Sequence, residues 1–148
     1  MAVDGEGHRV AGRVLISGSG TGAVLRLSRP LSFWGGVDPT TGEIVDPRHP
    51  QHGASVAGRV LLLERAVGSS SSSAIMLELI RNRVAPAAVV MGATDAILAL
   101  GVLVGRELGY ETLPMLECPA LDYGDPALDG AVGRVDRGSF HWKSGRGQ

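Results

Sequence analysis

The chain has 148 residues, 44% of them hydrophobic and only 4% aromatic, with 22 glycines, one cysteine and a formal net charge of −1. That size suits one domain, and an interior of Val, Leu, Ile and Ala suits helices packed on a sheet. The small net charge, with no run of Lys or Arg, gives no footprint for nucleic acid or an anionic membrane, and neither partner is expected. One cysteine excludes an internal disulfide, and the opening MAVDGEGHRV has neither the basic nor the apolar region of an export signal. No apolar stretch reaches the roughly 18–20 residues that span a bilayer, so a soluble, cytoplasmic protein is expected.

Residues 9–17 (RVAGRVLIS) and 23–27 (AVLRL) mix β-branched and apolar residues around GSGTG, which predicts two strands joined as a hairpin by a glycine turn. Residues 28–53 carry four prolines and four glycines without a sustained period, and are predicted to form a long ordered loop docked by Phe33 and Trp34. From Gly58 the pattern changes: GRVLLLE reads as a buried strand, GSSSSS as a turn and AIMLELIRNR as a helix. The unit then repeats, with PAAVVM as a strand, Thr94 as the N-cap of DAILALGVLVGREL, and Gly109 as its stop. ETLPM begins a third strand, and AVGRVDRGSF reads as one closing strand. Continuous apolar runs alternating with helices predict parallel strands covered by helices. The expected fold is α/β, a parallel βαβαβ core with a β-rich N-terminal layer. It forms one domain over 1–148, with its core at about 9–136 and a mobile tail at 137–148.

Gly68 to Ser73 is the most informative segment: a serine run is ordinarily a flexible linker, but this one is short and lies between a buried strand and a buried helix, where a strand-to-helix turn is the better account. A serine run there can cap the helix, bind a phosphate, or present a hydroxyl to the unpaired N–H groups of the helix start. Gly18 to Ala23 matches the G-x-G-x-x-[GA] dinucleotide fingerprint, with Asp38 near the distance of a ribose-binding acid. Too few residues separate Ala23 from Pro30 for the required helix, so a turn is the better account. Asp46, His49 and His52 imitate a metal site, but no cysteine or fourth ligand is close, and a hydrogen-bonded loop histidine is more ordinary. No metal is expected on this chain.

Three segments together, PLSFWGGVDPTTGEIVDPRHPQHG, GSSSSSAIMLELI and APAAVVMGATDAILALG, resemble the small subunit, or swivel domain, of the aconitase X family over roughly residues 10–135. The resemblance implies a swivelling β/β/α fold and a cytoplasmic hydro-lyase subunit, a dehydratase active only with a large catalytic subunit. The family includes bacterial cis-3-hydroxy-L-proline dehydratases and archaeal mevalonate-5-phosphate dehydratases; the all-serine turn looks more like the former. In aconitases a Gly-Ser-Ser turn supplies the proton-removing serine, so Ser69 takes the catalytic role by resemblance, with Gly68, Ser70 and Ser71 beside it as substrate-binding residues. The loop residues Ser32, Phe33, Trp34, Gly35, Gly36, Asp38 and His52 are expected to face the partner and the active site. Aconitase proper follows the turn with an arginine where this chain has Ser71. Carboxylate recognition then falls to the partner, or to Arg48 or Arg65 if folding brings either close.

Elimination of water from a hydroxy acid needs a base for the proton beside the carboxylate and a Lewis acid for the hydroxide. One cysteine cannot hold an iron–sulfur cluster, so the cluster is expected in the partner subunit and no cofactor on this chain alone. Two other classes compete: a phosphohistidine-type swivelling carrier, disfavoured because none of His8, His49, His52 and His141 lies in the serine turn, and a non-catalytic assembly module.

Overall fold

The structure, a computed structural model, describes residues 7–67 and 70–144. Its centre is a run of parallel strands: β4 (Val60–Leu63), β5 (Ala88–Met91) and β6 (Met115–Glu117), expected from the apolar segments, and, contrary to expectation, β3 (Gly20–Arg26) before them; each is paired to the next, and β3 and β6 have further partners outside. Alternation sorts their side chains to two faces. Leu61, Leu63, Val89, Met91 and Met115 point into one core cluster, and Val60, Leu62, Ala88, Val90 and Leu116 into another. A sheet buried on both faces needs apolar residues at every position, which is why these strands read as unbroken hydrophobic runs.

Helices α2 (Ser72–Arg81) and α3 (Ala96–Glu107) cover the first face through Ile75, Met76, Leu79, Leu98 and Val102. The second face is covered by β1 (Gly7–Ala11), β7 (Val132–Asp136) and β8 (Ser139–Lys143), whose Phe140, Trp142 and Val135 complete the other cluster with Tyr123 and Leu128. The result is the expected β/β/α arrangement. Gly109, at φ +86°, ends α3 as expected, but the N-cap is Asp95, whose carboxylate accepts from Ile97 N and Leu98 N at 2.9 and 3.1 Å. Thr94 instead donates to Glu117 Oε2.

Three expectations are corrected. The N-terminal hairpin does not form, because both neighbours of β3 are distant in sequence: residues Gly20 to Ala23 pair with β7, and Val24 to Arg26 with β4. GSGTG belongs largely to β3 itself, and its glycines serve close backbone passage, since a Cβ on Gly22 would collide with Gly58 O. The single strand expected at residues 9–17 breaks at Gly12 into β1 and β2 (Arg13–Ile16), which lie at opposite ends of the strand order β1-β8-β7-β3-β4-β5-β6-β2. The two edge strands of the sheet are therefore joined in the chain through Gly12, whose N–H donates to Gly138 O at 2.9 Å. Finally, AVGRVDRGSF is a hairpin of β7 and β8, turned at Arg137 (φ 52°) and Gly138 (φ 79°), and residues 139–143, expected in the tail, are a paired strand.

The loop after β3 is ordered, as expected. Leu31, Phe33, Val37, Ile44 and Val56 join the helix-side core, and bridges Val37↔Ile44 and Glu43↔Ser55 brace it. Within it, α1 (Phe33–Gly36) is one irregular turn, with Gly35 at φ +81°. No helix among the described residues is long and apolar enough to cross a membrane.

Candidate functional site

The site lies at the C-terminal edge of the parallel strands, where β4 gives way to the serine turn. Gly68 and Ser69, the latter the expected base, lie outside the described residues. Ser70 and Ser71 are exposed, and Ser70 O accepts from both the N–H and the hydroxyl of Ser73, winding the chain into α2. Ser72 differs: it is buried, and its Oγ accepts the Trp34 N–H at 3.3 Å. That bond fastens the SFWGG turn to the start of α2. A second tie is the parallel bridge of Ser32 with Val67, and Ser32 Oγ donates to Trp34 O at 3.0 Å.

The loop residues named from sequence therefore divide. Ser32 and Trp34 are tied beside the serine turn, with Trp34 57% exposed and Val67, bridged to Ser32, 47% exposed; Gly35 follows as an exposed turn residue with no such tie. Phe33 and Gly36 are buried and serve packing, the Gly36 backbone lying close against Leu31. Asp38 is not brought to the site. Its carboxylate accepts from the Thr40 N–H and hydroxyl, which hold it below the usual carboxylate range, and the next residue, Pro39, accepts from Asn82 Nδ2 at 2.8 Å. Asn82 caps the C-terminal end of α2, about 15 Å from the helix start at the ordinary rise per residue. His52 is exposed, and its N–H bonds His49 O.

His49 itself is buried with both ring nitrogens engaged. Nδ1 accepts from Gln51 N at 3.1 Å, so Nε2 carries the proton and donates to Arg29 O at 3.0 Å. This is the hydrogen-bonded loop histidine expected from sequence, not a ligand. Among the described residues no three of His, Cys, Asp or Glu gather to hold a metal ion. Cys118 is fully buried, burial pushes its thiol pKa up, and its Sγ rests on Ala11 O at 3.5 Å. A lone, protonated, packed thiol does not fit the thiolate set of an iron–sulfur cluster.

Two adjoining clefts at this edge escape sequence reasoning. One, of about 430 Å³, is lined by Glu64, Arg65, Gly92, Pro119 and Tyr123, and the other, of about 110 Å³, by Arg26, Ser28, Arg29, Glu64 and Arg65. Tyr123 is buried between them, its hydroxyl donating to Cys118 O at 2.9 Å, and burial drives its pKa far above the phenolic range. Of the two arginines considered from sequence for carboxylate recognition, Arg65 lines both clefts and Arg48 neither. On the opposite face, Arg9, His141 and Arg134 stand in one cross-strand row, a basic grouping that their scattered positions conceal; partial burial, then Arg134 and Arg9, lower the His141 pKa.

A profile of the aconitase X swivel domain matches residues 9–139. The chain belongs to that family. The swivel domain is 43% identical over 108 residues to the cis-3-hydroxy-L-proline dehydratase of Pseudomonas aeruginosa, covering 73% of this chain and 19% of that protein. It is 39% identical over 110 residues to the phosphomevalonate dehydratase small subunit of Methanothermobacter thermautotrophicus, covering 74% of this chain and 79% of the relative. With the corresponding subunit of Methanosarcina mazei it shares 34% identity over 93% of both chains. The swivel domain thus spans about a fifth of the hydroxyproline dehydratase and most of each small subunit. Among solved structures, Thermococcus kodakaraensis aconitase X in its holo form superposes with a TM-score of 0.77 at 31% identity, over 91% of this chain and 98% of that one.

Proposed function

We propose that this swivel domain is the small subunit of a dehydratase that removes water from a hydroxy acid, foremost cis-3-hydroxy-L-proline, and that Ser69 is the base. The observation that carries the reading is the joint between β4 and α2: a serine turn at a helix start, in this family's fold, with the SFWGG turn tied to it through Ser72 Oγ and Val67. An alkoxide is sustained only where N–H donors and the positive end of a helix face it and water is scarce. The start of α2 supplies the former, and Trp34 and Val67, exposed beside the turn, supply apolar cover once a partner closes over them.

This chain's share of the reaction is removal of the proton next to the carboxylate. Its described residues do not fit an iron–sulfur cluster, and in this proposal the cluster is held by the large subunit. A second substrate, phosphomevalonate, is favoured by the 34% identity that runs across 93% of the Methanosarcina mazei small subunit. The carrier alternative has no support at the turn, since His49 is locked in a loop and His8 stacks on Trp142 at 4.1 Å.

The test is reconstitution with a cysteine-bearing aconitase-like chain, assayed on both substrates. Ser69→Ala is expected to leave complex formation intact and to lower kcat at least about 10²-fold. Residual turnover near wild type in the purified mutant complex would remove Ser69 from the role. Complex formation without turnover of either substrate would leave the assembly module as the better reading.

A further inference from the structure

We infer that the cleft between Arg29 and Arg65 is an oxyanion subsite that holds the carboxylate or phosphate of the substrate at the strand edge from which the chain enters the serine turn. This inference rests on the dehydratase reading for the identity of the anion, and on the structure for the site. Register creates the juxtaposition. Arg26 of β3 pairs with Leu62 of β4, and these strands are parallel, so Arg29 and Arg65 each stand three residues beyond the same rung. Neighbouring strands are about 4.8 Å apart. Two arginines therefore leave adjacent strand ends together and line one cleft. In parallel sheets, ligands bind outside this carboxyl edge.

The three arginines of the cleft are not equivalent. Arg26 is committed: Nε and Nη2 grip the Asp129 carboxylate at 2.9 Å each, and Nη1 donates to Tyr123 O at 3.2 Å. Arg29 and Arg65 make no side-chain hydrogen bond or ion pair among the described residues. Glu64 is the one carboxylate lining either cleft, so the two free guanidinium groups outnumber it.

The backbone beneath each free side chain is held. His49 Nε2 donates to Arg29 O, and Gln51 exchanges hydrogen bonds with Ser28. Glu64 O accepts from the N–H groups of Gly92 and Ala93 at 3.1 and 3.0 Å. Both side chains are exposed and have no partner among the described residues, so the two guanidinium forks, rising from held backbone, are available to a two-oxygen anion. Arg65 also lies on the segment that enters the serine turn, a turn that carries no cation of its own. Both substrates named for the relatives carry such a group: a carboxylate in hydroxyproline, and a phosphate besides in phosphomevalonate.

The first experiment uses the full chain, titrated with inorganic phosphate and with acetate at constant ionic strength, while the arginine Nε–Hε resonances are followed by NMR. Saturable shifts are expected at Arg29 and Arg65 and none at Arg81, which is paired with Glu78. Arg29→Ala and Arg65→Ala should each weaken phosphate binding by about tenfold or more. No saturable shift, or shifts equal at all three arginines, overturns the subsite. The second experiment uses the reconstituted complex. Arg65→Ala should raise KM about tenfold or more with a smaller fall in kcat, and Arg65→Lys should recover part of the loss.

A KM effect on cis-3-hydroxy-L-proline identifies the carboxylate as the bound group, and an effect confined to phosphomevalonate identifies the phosphate. Unchanged KM for every substrate turned over overturns the substrate assignment. A complex that dehydrates neither substrate defeats the dehydratase reading, and the titration then decides the anion site by itself.

Discussion

Gly101→Ala sets two effects of opposite sign against each other at the contact that positions the serine turn. In an isolated helix the change would stabilise by about 1 kcal/mol, because Ala loses less backbone freedom than Gly. Here a Cβ would lie 2.5 Å from Ser73 O and 3.0 Å from Met76 Cβ, where α3 crosses the first turn of α2. The nearer atom is a backbone carbonyl, which cannot swing aside as a side-chain tip would, so the helices must separate. Overpacking of this kind costs about 1–3 kcal/mol. The net expectation is destabilisation by about 1 kcal/mol, up to 2, which for a domain of this size lowers Tm by roughly 2–8 °C. Because Ser73 N and Oγ both bond Ser70 O, the displacement should also reduce turnover of the reconstituted complex. Thermal unfolding and steady-state assay read the two consequences. Gly105→Ala is the control, since its added Cβ meets only side-chain carbons of Thr112 and Ile80 at 3.3–3.4 Å and should be close to neutral. A rise in Tm for Gly101→Ala would show that helix propensity outweighs the contact, and the packing argument would be wrong.

Arg137→Asn should stabilise by about 0.5–1 kcal/mol, because both turn residues of the β7–β8 hairpin have positive φ and Asn-Gly suits that turn better than Arg-Gly; a lower urea midpoint refutes it. His49→Ala removes an acceptor from Gln51 N and a donor from Arg29 O, and should cost about 2–3 kcal/mol in urea unfolding. A loss under 0.5 kcal/mol would mean that water replaces the ring at no cost. Glu117 has its carboxyl pKa lowered, first by the Thr94 hydroxyl and then by Arg13. A lowered folded-state pKa contributes stability that is full above the unfolded carboxylate value, near 4.5, and is lost as pH falls through the folded one. Glu117→Gln should therefore flatten the acid limb of the stability profile without abolishing it, as Asp38 and Glu78 are lowered too. An unchanged acid slope contradicts the assignment.

The parallel core is readable from sequence because its environment is uniform: at Val60 to Leu63 and Ala88 to Met91 both faces are buried, so hydrophobicity alone marks the strands. The outer layer is not, because its pairings are decided far away. Residues 9–17 look like one strand, yet Gly12 divides them between two ends of the sheet, since its position lies against Glu117 O and Leu116, where a Cβ would not fit. Thr94 and Asp95 are equally good caps by composition. Asp95 takes the role because the Thr94 hydroxyl is already committed to Glu117. Within the loop, the sequence marks Phe33 and Trp34 as a pair, but one docks in the core and the other faces out, a division that follows from the irregular backbone at Trp34 and Gly35.

The edge carries the candidate chemistry for a topological reason. Parallel strands must return by crossovers, and the crossovers from β3 and β4 leave neighbouring strand ends at the carboxyl edge before their later residues, such as Leu31 and Phe33, pack on the helix side. The first brings Arg29 and then the SFWGG turn; the second brings Arg65 and then the serine turn. Leu27 N to Leu62 O, Val67 N to Leu31 O and Trp34 N to Ser72 Oγ tie the two together in succession along their length. Residues that are remote in sequence thus meet pairwise, arginine with arginine and then the SFWGG turn with the serine turn. A base at Ser69 and an anion held at Arg29 and Arg65 would be two consequences of one parallel register, and a slip of that register would disperse both.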